Sequence, residues 1–215
     1  MKRKKLRIAV QKSGRLRELS LKFFSDIGIS LSEETDTSRA LIAQSCCGGA
    51  EFLFVRHADI PTYVQSGVAD FAIVGGNILE EGQFEVQQIA TLPFGECRLA
   101  IAVPLDSPIV SASDLDGERI ATSYPNSLRK FLRRERVNAS LIEISGSVEI
   151  APALDMADAI CDLVQSGATL KENNLQTVFT IFDSSAVVIE SPYQHVLKNI
   201  LRAAILNYKA VSEGA

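Results

Sequence analysis

Long apolar runs are missing from this 215-residue chain. No stretch approaches the roughly 20 consecutive apolar residues that cross a bilayer, so the sequence predicts no membrane contact. An export signal is missing too. After the basic start MKRKK, the apolar run at 6–10 ends at Gln11 and Lys12, well short of a secretory h-region, and a cytoplasmic location is expected. Metal-ligand spacing is absent: Cys46, Cys47, Cys97 and Cys161 form no CxxC pair, and His57 and His195 stand far apart. That argues against a zinc cage and fits a reducing compartment, with Cys97 and Cys161 acting as small buried hydrophobes. Surplus positive charge is also lacking. With 22 Lys and Arg against 26 Asp and Glu, the formal charge is -4, which leaves no overall field to gather nucleic acid. An anionic ligand must therefore be met by local cations.

What is present is an α/β pattern. At 47% hydrophobic the chain can bury a substantial core. Short apolar runs at 6–10, 40–44, 51–55, 69–75, 98–104, 118–123, 140–145 and 157–164 read as strands, with helical patterns between many of them. One such helix spans 16–27 and puts Leu16, Leu19, Phe23 and Phe24 on one face. The chain also echoes itself. RIAVQKSGRLRELSLKFF from Arg7 is answered by RIATSYPNSLRKFLRRER from Arg119, and GVADFAIVGG from Gly67 by DMADAICDLV from Asp155. The ordered pair predicts two similarly built lobes with a cleft between them. Lobe one takes 1–91 and 181–215, and lobe two takes 92–180. The chain would return to lobe one through SSAVVIES and close on a helix from about 193 to 210, carrying Val196, Ile200, Ala203 and Ala204 at helical spacing.

Three stretches can carry chemistry. In QKSGRL, Lys12 and Arg15 flank a turn containing Gly14 at a helix start, where the helix dipole favours an anion. In FVRHADIPTYVQSGVADFAIVGG, Arg56 leaves an apolar strand for the loop where α/β sheets present ligand groups, and its guanidinium can fork onto phosphate oxygens. Asp70 starts the next strand there, and Gly75 ends it with no side chain to block a flat ring. In DAICDLVQSGATL, Asp162 ends a strand and can accept hydroxyl hydrogen bonds or meet a magnesium ion bridging phosphates. After it, Gln165, Ser166, Gly167, Ala168, Thr169 and Leu170 form a small-residue turn suited to a phosphate. Glu149 is a second acid of the same lobe. The cationic FLRRER at 131–136 reads as a solvated face or a subunit contact.

These blocks, together with FGECRLAIAVP, ATSYPNSLRKF and DSSAVVIES, resemble in order the catalytic subunit of ATP phosphoribosyltransferase. The resemblance covers nearly the whole chain. It implies a two-lobed fold of the type II periplasmic-binding-protein kind, with the active site in the interlobe cleft. It also implies transfer of a phosphoribosyl group from phosphoribosyl pyrophosphate to N1 of ATP, the first step of histidine biosynthesis. Arg56 and Lys12 would be catalytic. Lys12, Gly14, Arg15, Arg56, Asp70 and Gly75 would bind ATP; Glu149, Asp162 and residues 165–170 would bind phosphoribosyl pyrophosphate. Mg2+ would ride on substrate phosphates rather than on a protein cage. The resemblance is to the short form, without a C-terminal regulatory domain. It implies a homo-oligomer, a dimer, joined by a regulatory subunit resembling histidyl-tRNA synthetase. Three departures stand out: Asn77 where an acid is common, Ser123 where a lysine often precedes YPN, and QSGAT in the phosphate loop. A solute-binding protein or an effector-sensing domain of the same architecture is the alternative; the one is expected to carry an export signal and the other a DNA-binding module.

Overall fold

The structure, a computed structural model, describes residues 5–32 and 40–212. The basic residues 2–4 lie outside it. The chain divides into two units. The first holds the chain up to Leu79, the stretch Gln83–Gly95 and everything from Ser185 onward; the second holds Glu80–Gly82 and Glu96–Ser184.

The first unit is built on strands β1 (Leu6–Gln11), β2 (Ile42–Gln44), β3 (Ala50–Val55), β4 (Phe71–Gly75), β5 (Gln87–Thr91) and, from the end of the chain, β11 (Ala186–Glu190). Their order is β2-β3-β1-β4-β11-β5. β1 runs parallel to β3 and β4, whereas β11 is antiparallel to β4 and β5. The central strands read as continuous apolar runs because both faces of the sheet are covered. On one face Ile8, Val10, Phe52, Phe71 and Ile73 pack with Phe23 and Phe24 of helix α1 (Arg15–Asp26). On the other, Ala9, Leu53, Ala72 and Val74 pack with Ile60 and Val64 of α2 (Ile60–Gln65). Each fully buried Phe or Ile contributes about 1.5–3 kcal/mol of transfer free energy. Helix α3 (Gly76–Glu81) follows β4.

The second unit contains β6 (Cys97–Pro104), β7 (Arg119–Thr122), β8 (Ser140–Glu143), β9 (Ala159–Val164) and β10 (Leu175–Ser184), with helices α4 (Pro125–Glu135) and α5 (Ala168–Glu172). Its strand order is β10-β6-β9-β7-β8. Read from β8, the order and directions repeat those of β3-β1-β4-β11-β5: two parallel pairs, then two antiparallel ones. The sequence echo is written into hydrogen bonds as well. Arg7 N–H donates to Asp70 Oδ2 at 2.8 Å and Asp70 N–H to Arg7 O at 2.8 Å. The same latch recurs where Arg119 N–H donates to Asp158 Oδ2 at 2.9 Å and Asp158 N–H to Arg119 O at 2.8 Å. Hydrogen bonding from the Arg119 guanidinium holds the Asp158 carboxyl at about 2.

Two features differ from the sequence reading. β5 and β10 were not expected as strands. β5 is a polar edge strand, and β10 is bulged twice, with register shifts between Thr177 and Phe179 and between Thr180 and Phe182. Its apolar residues therefore fall in adjacent pairs, Val178-Phe179 and Ile181-Phe182, and not in alternation. The closing helix α6 (Lys198–Ser212) begins later than expected, and not all of the apolar residues at that spacing are buried. Leu201 and Ile205 are buried, whereas Val196 and Ile200 are 81% and 70% exposed. The late start has a cause in Lys198. Its buried ammonium is wrapped by the carbonyls of Ser191 and Tyr193, which hold the preceding segment as a loop.

Candidate functional site

In the first unit the parallel β1, β3 and β4 bring their C-terminal ends to one edge of the sheet. Lys12 follows β1 and its N–H donates to Val55 O at 2.8 Å, which carries the pairing with β3 one residue further. Gly14 has φ +86° and ψ 175°, a conformation essentially reserved for glycine, and lets the chain enter α1 directly. Among the described residues no side chain caps the first turn of α1, which leaves its N–H donors for other partners. Lys12, Arg15 and Arg56 are exposed. None of the three makes an ion pair among the described residues. Lys12 and Arg15, beside a helix start with uncapped N–H donors, and Arg56 at the same sheet edge are of the kind that can meet an anion.

Two expected members of this group have other surroundings in the structure. Asp70 is 2% exposed and precedes the N-terminal end of β4, one whole strand away from Lys12 and Arg56. Its carboxylate receives the Arg7 N–H and serves the fold latch. Gly75 is at the right edge, but the space left by its absent side chain is filled: a Cβ there would collide with Asn77 Oδ1. The glycine makes room for the buried Asn77 amide.

In the second unit Glu149 and Asp162 line a pocket of about 180 Å³ together with Gln165, Ser166, Gly167, Thr169 and Leu170. β9 delivers Asp162 near its end, and a 3-10 turn, Val148–Ile150, delivers Glu149. Gly167, at φ +77°, turns the chain into α5. Ala168 N–H points back toward Ser166 Oγ at 3.4 Å, and Ala168 is exposed beside the pocket. Burial pushes the Asp162 carboxyl up to about 6, against the Leu163 N–H that donates to it and with the Glu149 charge adding to the rise. Two acids facing one small pocket suit a polyol, whose hydroxyls donate to both. Paired carboxylates can also meet a divalent cation completed by ligand oxygens; among the described residues no three Asp, Glu, His or Cys side chains converge on a metal.

One contact of this unit escaped the reading of the sequence. The Glu81 carboxylate accepts the N–H groups of Asn126 and Ser127 at 2.8 and 2.9 Å, closing the N-terminus of α4. A clue was available: Glu80 and Glu81 sit at the C-terminal end of α3, where the helix dipole disfavours acids. Ser123 donates its hydroxyl to Ile144 O at 2.8 Å, tying the end of β7 to the segment after β8. Cys161 is buried and its thiol pushed up to about 12 by that burial, so it is inert. Among the described residues no helix is long and apolar enough to cross a membrane.

Two α/β units of this strand order define a type II periplasmic-binding-protein-like fold. A solved histidine kinase sensor domain similar to periplasmic binding proteins shares it, with a TM-score of 0.61 at 13% identity over 97% of this chain and 92% of that one. Residues 56–208 match the family described as HisG: ATP phosphoribosyltransferase, and the chain belongs to that family. A curated ATP phosphoribosyltransferase from Cytophaga hutchinsonii is 44% identical over 187 residues, which take in 87% of this chain and 64% of the relative's length. The solved ATP phosphoribosyl transferase (HisG:HisZ) complex from Thermotoga maritima matches with a TM-score of 0.75 and 28% identity, covering 94% of both chains.

Proposed function

We propose that the chain is an ATP phosphoribosyltransferase, joining N1 of the ATP adenine to the anomeric carbon of phosphoribosyl pyrophosphate in the first step of histidine biosynthesis. The observation that carries this reading is the second-unit pocket, lined by Asp162 from β9, Glu149 from a 3-10 turn and the small-residue turn around Gly167, in a chain of this family. The turn around Gly167 takes the 5-phosphate through backbone N–H groups, while Glu149 and Asp162 accept the ribose hydroxyls. The adenine N1 lone pair forms the new C–N bond as the bond from the anomeric carbon to pyrophosphate breaks, and the bonding pair leaves on the pyrophosphate oxygen. Charge then grows on the leaving group, and Arg56 and Lys12 stabilise it, with Arg15 meeting polyphosphate oxygens. Adenine N1 carries its own lone pair, so positioning dominates over proton transfer. Mg2+ supplies further neutralisation when bound to the pyrophosphate.

We assign its working form to the cytoplasm, as a dimer joined by a regulatory subunit; the similarity to the HisG:HisZ complex from Thermotoga maritima supports a partner of the HisZ kind. The purified chain mixed with ATP, phosphoribosyl pyrophosphate and Mg2+ should form phosphoribosyl-ATP, followed by its absorbance, and a HisZ-type subunit should co-elute with it and change the rate. No product from folded chain, alone or with the partner, would overturn the activity.

A further inference from the structure

The cationic run at 131–136 has no part in the proposed reaction, yet the helix that carries it walls a second cavity. Within the second unit, a pocket of about 380 Å³ lies between α4, β10 and Glu80. This is the small end of the ~300–1,000 Å³ range of ligand sites. Ser127, Lys130, Phe131 and Arg134 line it from one face of α4; Ile181, Phe182 and Asp183 line it from β10.

Three observations make this a built site. Ser127 is 3% exposed, and its hydroxyl has no hydrogen-bond partner among the described residues. A buried hydroxyl left unpaired is costly, and that cost is relieved when a ligand supplies the partner. The second bulge of β10 falls at Ile181, between Thr180 and Phe182, and sets two apolar side chains side by side on the wall. The cations also retain donors. Lys130 Nζ spends one on Glu80 O at 2.9 Å. Arg134 spends Nε on Glu135 at 2.9 Å and lies over the Phe131 ring at 5.3 Å, leaving its terminal nitrogens without a partner among the described residues.

The lining carries both signs of charge, Lys130 and Arg134 against Glu80 and Asp183, around an apolar wall. A simple anion would be repelled by the acids and a simple cation by the helix. We propose that this pocket binds a free apolar or aromatic α-amino acid. The carboxylate meets Lys130, Arg134 and the Ser127 hydroxyl. The ammonium meets the Asp183 and Glu80 side, and the side chain lies on Phe131, Ile181 and Phe182. The assignment rests on the cavity alone and stands whether or not the chain has the transferase activity proposed above.

The test is calorimetric titration of the full chain with L-phenylalanine and L-leucine, with N-acetyl-L-phenylalanine and L-phenylalaninamide as probes lacking one charge each. Saturable one-to-one binding is expected for the free amino acids, weakened at least about tenfold by either block. Ser127→Ala should weaken it about five- to tenfold while leaving thermal stability unchanged or raised, because the unpaired hydroxyl is gone. Lys130→Glu should abolish it. The proposal is overturned if no free amino acid binds, if the blocked probes bind equally well, or if Ser127→Ala keeps full affinity. Displacement of the amino acid by phosphoribosyl pyrophosphate in direct competition would place it in the other pocket and would equally overturn the proposal.

Discussion

Superposing the two units by strand register sets Lys12 against Tyr124, Arg15 against Ser127, Arg56 against Ser145 and Val74 against Asp162. At the strand ends where the first unit has cations, the second has neutral side chains, and the second adds an acid where the first has an aliphatic residue. The helix starts differ in the same sense: that of α1 is uncapped, whereas that of α4 is closed by the Glu81 carboxylate. What is conserved between the units is the latch, Asp70 with Arg7 and Asp158 with Arg119. A repeated scaffold has thus kept its internal fastening, and under the proposed function it divides the ligand chemistry, with polyphosphate charge assigned to one unit and a sugar phosphate to the other.

The largest expected effect tests the cationic side. Arg56→Ala should keep the fold and lose about 10²-fold or more in turnover at saturating substrates, with Arg56→Lys recovering only part, since a point charge does not reproduce the fork. Near-normal turnover of a folded Arg56→Ala protein would remove the role given to the first unit.

The acidic side is tested through pH. The Asp162 carboxyl titrates at about 6 in the fold against an ordinary 3.8, so between about pH 4 and 6 the unfolded chain gives up this proton first. Its contribution to stability is present below that window and is lost as pH rises through 6. Asp162→Asn should therefore gain on the order of 1–3 kcal/mol over the parent between pH 4 and 7, read by denaturant melts at both ends. The same variant should bind phosphoribosyl pyrophosphate more weakly, and the parent's affinity should fall below about pH 6. A fall retained in Asp162→Asn would assign the titration to the ligand instead.

The smallest effects belong to the shared latch. Asp70→Ala should cost about 1–3 kcal/mol by stranding the Arg7 N–H in a buried place, and Asp158→Ala about 1 kcal/mol, because its side chain is 31% exposed and water can replace it. Both variants should retain KM for both substrates. A raised KM for ATP in a stable Asp70→Ala protein would return that residue to the site.

Much of this plan was legible in the residues. Strands apolar on both faces announce themselves, and the repeat was visible in the paired VAD and MAD segments before the latch explained it. The turn into α5 was legible because Ser166 and Gly167 follow the apolar run that ends at Val164. Asp70 misled because an acid at a strand start looks the same whether it faces a ligand or fastens a neighbour; only its 2% exposure separates the two. Glu81 escaped because its partners Asn126 and Ser127 lie 45 and 46 residues along the chain. The buried face of α6 was not legible because Val196 and Ile200 are apolar but exposed, while the start of the helix depends on a buried lysine that no periodicity reports.

The position of β11 carries a consequence for the order of assembly. It lies between β4 and β5, and Ala186 pairs with Gly75 across more than half the chain. The first unit therefore lacks an interior strand until its last segment has been synthesised, whereas the second is complete by Ser184. On a ribosome the second unit can close while the first still exposes the unsatisfied edges of β4 and β5. Contacts so distant in sequence form slowly because loop closure precedes any gain from pairing. The nascent first unit is thus the part of the molecule most exposed to aggregation, and residues 186–190 act as the clasp that ends that exposure.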